Sequence, residues 1–228
     1  MDPDSTINEG SMTQATLHYI HDPLCGWCYA TQPLISAAVQ RLDGRLALQL
    51  HGGGLFAEPR VLDKALAGHI EQSDQRIAQY SGQPFGKPYL EGLLAEQGTV
   101  LYSMPPIAAL LAALAVDSTQ AYPLLVAIQN AHYQRGLRVV EPPVLGELAE
   151  EIGLDGARFA IAFAQANGHA LMEHVQASRR LLESIGGNGF PTLLLELQGE
   201  QRVFDHSRYY GQPQAFVEAL TAALPALH

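Results

Sequence analysis

The hydrophobic period of this 228-residue chain switches twice, and that order admits few layer architectures. Residues 16–21 (TLHYIH) form a β-prone apolar run, and Leu34, Ile35, Ala38, Val39 and Leu42 then recur at helical spacing up to Asp43-Gly44. Residues 45–51 (RLALQLH) alternate, with Leu46, Leu48 and Leu50 on one face. Strand, helix and strand make a βαβ unit, for which a right-handed crossover is the rule.

Residues 55–185 read as helix after helix. Leu62, Leu66, Ile70, Ile77 and Tyr80 form one apolar stripe, with the charged EQSDQR at 71–76 marking a break. Ser103 followed by Pro105 and Pro106 opens an Ala/Leu-rich helix. Helices over 121–135, 143–153 and 156–167 follow, the last opened by Asp155 as N-cap. A helix over 169–185 carries Leu171, Val175, Ser178, Leu182 and Ile185 on one face and stops at Gly186-Gly187. The chain then returns to strands at 192–197 and 201–204, joined at hairpin length, and closes with a helix over 212–226. The fold class is therefore α/β: residues 12–54 and 186–228 form one domain, and 55–185 an all-helical insertion.

Both cysteines of the chain, Cys25 and Cys28, lie in HDPLCGWCYA at the first strand-to-helix turn, with the single tryptophan between them. A disulfide across four residues constrains almost no unfolded chain, so a stabilising role is weak and reactivity is the better reading. A helix N-terminus carries about half a positive charge, and thiols in C-x-x-C windows have pKa values lowered to roughly 3.5–7.5. The pattern predicts Cys25 at the tip as an exposed, acidified nucleophile and Cys28, one turn in, as the shielded resolving thiol. Gly26-Trp27 adds no cation, which predicts a mild oxidant. Trp27 reads as a substrate contact rather than core, and Pro33 as a kink within the helix. His21 and Asp22 are assigned no catalytic sign.

A net charge of −10 disfavours nucleic acid and anionic membranes as partners. The longest apolar run, 104–116, is too short for the roughly 20 residues of a membrane span. Residues 1–11 (MDPDSTINEGS) lack the cationic start and apolar stretch of a secretion signal; they read as a vector-derived extension, with Met12 as the native start. The expected address is the cytoplasm, where a lone cysteine pair is seldom a staple.

The segments DPLCGWCYA, GQPFG at 82–86, QNAHYQRG at 129–136 and GGNGFPT at 186–192, set in this element order, resemble the DsbA-like branch of the thioredoxin superfamily, and most closely the FrnE-like group of cytoplasmic protein-disulfide isomerases. The resemblance covers most of residues 15–210. It implies a thioredoxin fold and a thiol–disulfide oxidoreductase or isomerase, with Cys25 as nucleophile, Cys28 as resolving thiol and Pro191 in the cis form facing them. It further implies that the Phe190 backbone hydrogen-bonds an extended substrate, with Gly26 and Pro33 in support. Some FrnE-like relatives carry a second cysteine pair and this chain has none. Its disulfide must therefore be exchanged with an outside thiol such as glutathione or another thioredoxin-like protein; no other cofactor is implied, and the oligomeric state is not legible. The implied substrates are disulfide-containing proteins or small molecules.

Other readings stand beside these. Two cysteines at this spacing also make half a zinc site, but no H-x₃₋₅-H follows at the usual distance. An unreactive pair is the other non-redox alternative. A glutathione-dependent isomerase or transferase of the kappa class or the 2-hydroxychromene-2-carboxylate isomerase type resembles this architecture, although those enzymes typically carry serine where Cys25 stands. A peptide-binding module without turnover is the third class. The glycine runs at 52–54 and 186–189 lack phosphate-loop order and read as turns. His132-Tyr133 reads as a packed pair with a cleft wall as the alternative, His18 as a satisfied core group, and His206 and Arg208 as weak candidates for a cleft rim.

Overall fold

The computed structural model describes residues 15–224, so the reading of residues 1–11 and the Met12 start lie outside the described residues. Strand β1 (Ala15–His21) leads through a tight turn into helix α1 (Gly26–Arg41), which returns to β2 (Leu46–Gly52). After the long middle segment come β5 (Thr192–Leu197), β6 (Glu200–Val203) and the closing helix α8 (Pro213–Ala223). These four strands form one sheet in the order β2-β1-β5-β6. β1 runs parallel to β2 and antiparallel to β5, and β5 antiparallel to β6. The expected β-α-β … β-β-α order is present.

β1 is an interior strand and is buried along nearly its whole length, on both of its faces. Leu17, Tyr19, Leu34, Ile35, Leu193, Leu195, Phe216 and Leu220 join in one core between the sheet and α1 and α8. The β5–β6 hairpin turns on Gln198 and Gly199, both at positive φ (52° and 85°), the geometry a two-residue hairpin loop demands. The register sets Ile20 opposite Thr192, so the turn after β1 and the loop before β5 emerge at the same end of the sheet.

The middle segment holds α2 (Lys64–Ser81), α3 (Met104–Val116), α4 (Ala121–Tyr133), α5 (Pro142–Glu151), α6 (Gly156–Ala166) and α7 (His169–Ser184). Asp155 caps α6 by accepting from Arg158 N at 2.8 Å. Two expectations fail here. The segment is not purely helical: β3 (Arg60–Val61) and β4 (Val100–Leu101) pair as a short antiparallel ribbon. Its helical part also includes a π-helical turn at Pro88–Leu93. Two-residue strands are too short to show a period in the sequence. Nor does α2 break at EQSDQR. It runs unbroken, with Asp74 filling the inward position between Ile70 and Ile77, while Tyr80 points outward, 68% exposed. Among the described residues, no helix is long and apolar enough to cross a membrane.

Candidate active site

Cys25 is the N-cap of α1, with extended backbone (φ −94°, ψ 116°) and its carbonyl accepting from Tyr29 N at 3.0 Å. Its thiol donates to the carbonyl oxygen of Phe190 at 3.4 Å, and the Phe190–Pro191 peptide bond is cis. Cys28 is fully buried one turn in; its sulfur accepts from Asp22 N at 3.4 Å and its carbonyl from the Tyr19 hydroxyl at 3.0 Å. Burial pushes the Cys28 thiol well up, and the adjacent Cys25 sulfur pushes the same way. Both cysteines are free.

One expectation needs correction. Cys25 is not exposed at a bare tip: it is 7% accessible. The middle segment folds over the start of α1, and Cys25 opens instead on a cleft of about 240 Å³. The walls are largely apolar, among them Leu62, Leu66 and Ile70. Among the described residues no lysine or arginine lines this cleft, and its titratable groups are Cys25, His69, Asp74, Tyr89, His132 and Tyr133.

Gly26 has a steric reason to be glycine. A β-carbon built there would lie 2.7 Å from Ile77 Cδ1 and 2.9 Å from Asp74 Oδ1, so α2 presses directly on the residue after Cys25. Trp27 is half-buried, 5.3 Å from the ring of Tyr210 and 6.3 Å from that of Tyr80, and lies on the cleft. Pro33 sits inside α1, which continues through it. Proline offers no N–H to the carbonyl four residues back. That carbonyl, Tyr29 O, accepts from Gln83 Nε2 at 2.9 Å instead, which ties the 82–86 segment to α1.

Asp22 is wholly buried and acts as a knot. Its carboxylate accepts from Leu24 N (2.9 Å), Leu55 N (2.6 Å) and Ser103 Oγ (3.0 Å), joining the active-site turn, the loop after β2 and the start of α3. Burial raises its pKa and these donors oppose the rise. The ring of Phe190 packs on Gly53 so closely that a β-carbon there would meet it at 2.1 Å. The 52–54 run is thus a close backbone approach, held from α7 by Arg179, whose Nε donates to Gly53 O at 2.8 Å.

His132 and Tyr133 pack edge to face at 4.7 Å, and both line the cleft, so the wall reading of this pair holds together with the packed one. Burial lowers His132 to about 4, keeping it neutral. His18 is satisfied, with Nδ1 3.0 Å from His51 Nε2 and Nε2 3.2 Å from Glu196. His206 and Arg208 do not line the cleft; His206 meets the Tyr210 hydroxyl at 3.2 Å and Arg208 pairs with Asp205 at 3.0 Å. Among the described residues no group of three or more His, Cys, Asp or Glu is placed to hold a metal ion.

Asp74 and Tyr89 escaped the sequence reading. Tyr89, on the π turn, donates to Asp74 Oδ2 at 2.7 Å, and burial pushes the Asp74 carboxyl up to about 7. The available signal was a carboxylate at a core-facing slot of the α2 stripe, which polarity alone disguised as a helix break.

No protein-family model matches the chain, and no curated protein matches it in sequence. Solved structures do. The cytosolic disulfide reductase DsbM from Pseudomonas aeruginosa is 46% identical, with a TM-score of 0.85 over 91% of this chain and 98% of that one. The same protein with glutathione matches at 45% identity, TM-score 0.83, over 91% and 98% of the two chains. A candidate protein disulfide isomerase from Nitrosomonas europaea is 21% identical, with a TM-score of 0.77 over 92% and 98% of the two chains. A 2-hydroxychromene-2-carboxylate isomerase is 15% identical, at TM-score 0.56 over 91% and 95%. The last two likenesses are of fold alone.

Proposed function

The chain belongs to the DsbA-like branch of the thioredoxin superfamily, and from that membership we propose that it is a thiol–disulfide oxidoreductase working in the reducing direction in the cytosol, with glutathione as its source of electrons. The support for the direction and the thiol is the 46% identical cytosolic reductase, also solved with glutathione. In this reading the Cys25 thiolate attacks a substrate disulfide, forming a mixed disulfide and releasing one thiol. Cys28 then attacks the Cys25 sulfur, releases the second thiol and leaves a Cys25–Cys28 disulfide. Two glutathione molecules reduce that bond and become glutathione disulfide, so two electrons pass from glutathione to substrate per turnover.

The observation that carries this is the unequal placement of the two sulfurs: Cys25 opens on a cleft at a helix N-terminus, and Cys28 lies sealed behind it. The Phe190 carbonyl and Pro191 flank an extended substrate beside Cys25, Trp27 contacts it, and Gly26 and Pro33 set the helix against its neighbours. Residues 55–185 act as the inserted unit that supplies the far wall. Asp22, held by three donors, serves structure rather than proton transfer. The isomerase likeness adds no observation at the site itself.

Trp27 is the only indole and neighbours both sulfurs. Its fluorescence is expected to change across a glutathione redox titration and to lose that change in Cys28→Ser, which instead accumulates glutathione on Cys25 detectable by mass spectrometry. A flat signal with both thiols free at every poise would sink the reading. So would exchange activity that survives Cys25→Ser.

A further inference from the structure

We propose that Asp74 is the proton donor of the cleft, protonating the thiolate released when Cys25 opens a substrate disulfide; this rests on the reading of Cys25 as nucleophile. Asp74 is carried by α2, 4% exposed, and lines the cleft together with Cys25 and Gly26. One oxygen, Oδ2, takes the Tyr89 hydroxyl at 2.7 Å, and the other, Oδ1, lies against Gly26, the residue bonded to Cys25. A buried carboxylate is costly without a cation beside it. Here the neighbours are a hydroxyl and apolar side chains, and no cation lowers the carboxyl among the described residues. The stripe positions on either side are apolar, Ile70 and Ile77, and the buried Tyr89 hydroxyl occupies only one of the two oxygens.

The other groups facing the carboxyl leave it alone in the role. His132 from α4 is held neutral, and burial pushes the hydroxyls of Tyr89 and Tyr133 well up, so neither readily gives up a proton. His69, on α2 itself, and Cys25, the N-cap of α1, complete the titratable set. Asp74, pushed up to about 7, is the acid poised to exchange a proton at neutral pH. The Cys25 thiolate gives its electron pair to one substrate sulfur and the new S–S bond forms. The substrate S–S bond breaks, and its electrons leave on the second sulfur. That thiolate takes the Asp74 proton and departs as a thiol, leaving Asp74 as a carboxylate, which solvent reprotonates through the cleft mouth.

Leaving-group strength separates this role from a structural one. A thiolate that is already stable needs no proton, and one of high basicity does. The reduced full-length protein is mixed with hydroxyethyl disulfide, which releases a basic alkyl thiolate, and with dithiodipyridine, which releases a stable aromatic one. Asp74→Asn is expected to lower the ratio of alkyl to aromatic rate by about 10²-fold, the lower range of general-acid contributions. In the parent protein that ratio falls as pH rises through about 7, and Asp74→Asn flattens the profile. Tyr89→Phe removes a hydrogen bond that lowers the Asp74 pKa, so it moves the inflection to higher pH, while His69→Gln leaves the inflection in place. Equal slowing of both disulfides, an unchanged ratio, or an inflection lost in His69→Gln overturns the assignment and leaves the oxidoreductase reading intact. A parent protein that reduces neither disulfide, or a Cys25→Ser variant that still reduces both, overturns the two together.

Discussion

Cys25 Sγ and the carbonyl oxygen of Phe190 stand 3.4 Å apart, although the two residues are 165 positions apart in the chain. Pairing of β1 with β5 brings this about: Ile20 sits opposite Thr192, and the residues just beyond each strand end project together from one edge. The reactive end of the molecule is therefore assembled by sheet register, and side-chain packing on either flank sets its spacing. The consequences can be tested one residue at a time.

Gly53 sets the position of Phe190. Because a β-carbon there meets the Phe190 ring at 2.1 Å, Gly53→Ala must displace the ring of the residue whose carbonyl faces Cys25. Overpacking of this kind costs about 1–3 kcal/mol. The expected outcome is a lower denaturation midpoint together with at least a tenfold fall in kcat/KM for disulfide reduction, about 1.4 kcal/mol of transition-state stabilisation. Steady-state kinetics that match the parent protein would contradict it.

Gly26 keeps α2 at its distance. Gly26→Ala drives a methyl group into Ile77 and Asp74, and Ile77 is itself 1% exposed. A loss of about 1–3 kcal/mol in urea unfolding is expected. The partner change Ile77→Val, which shortens the side chain that Gly26→Ala meets, is expected to recover part of that loss in the double variant.

Removing the Asp22 carboxylate strands three donors at once. Asp22→Ala leaves Leu24 N, Leu55 N and Ser103 Oγ without their acceptor in a dry site. A loss of about 3 kcal/mol or more follows, against about 1–3 kcal/mol for Ser103→Ala, which strands the single donor Phe56 N. Guanidinium unfolding of the two variants side by side checks the ratio. Equal losses would mean the backbone donors find water.

His21 makes the protein sensitive to acid. Its ring is wholly buried against Tyr19 at 4.9 Å, and neither ring nitrogen has a hydrogen-bond partner. Burial lowers its pKa from 6.5 to about 3, so between those values the unfolded chain binds a proton that the folded one refuses. Stability therefore falls as pH drops through this window, by at most about 1.4 kcal/mol per pH unit for one such group. His21→Phe is expected to flatten that limb by up to one proton. Asp74 works in the opposite sense: raised from 3.8 to about 7, it removes stability as pH rises across that interval. The His21→Phe variant keeps this second limb, and urea denaturation across both windows separates the two.

Much of the site was legible because its parts are local. The C-x-x-C spacing, the helix period behind it and the alternation of 45–51 are properties of neighbouring residues, and each appears in the structure where the pattern placed it, except that Val39, read into the α1 stripe, is 36% exposed. The α2 reading failed for a related reason. A charged residue in an apolar stripe looks like a break until the hydroxyl that receives it is known, and Tyr89 is 15 residues away on a π turn that no simple period announces. The expected exposure of Cys25 failed because accessibility belongs to whatever folds over a residue, not to its neighbours in the chain.

By itself, then, the sequence determined where the two cysteines fall, the order of the four strands of the main sheet with α1 and α8, and the position of the pair at a helix start, since backbone propensity and side-chain period act over a few residues. Tertiary structure alone decided that Cys25 opens on a cleft, that Phe190 stands opposite it and that a carboxyl with its pKa near neutrality lies beside Gly26. Desolvation and close approach arise only when segments remote in the chain are packed together, and no local pattern encodes them.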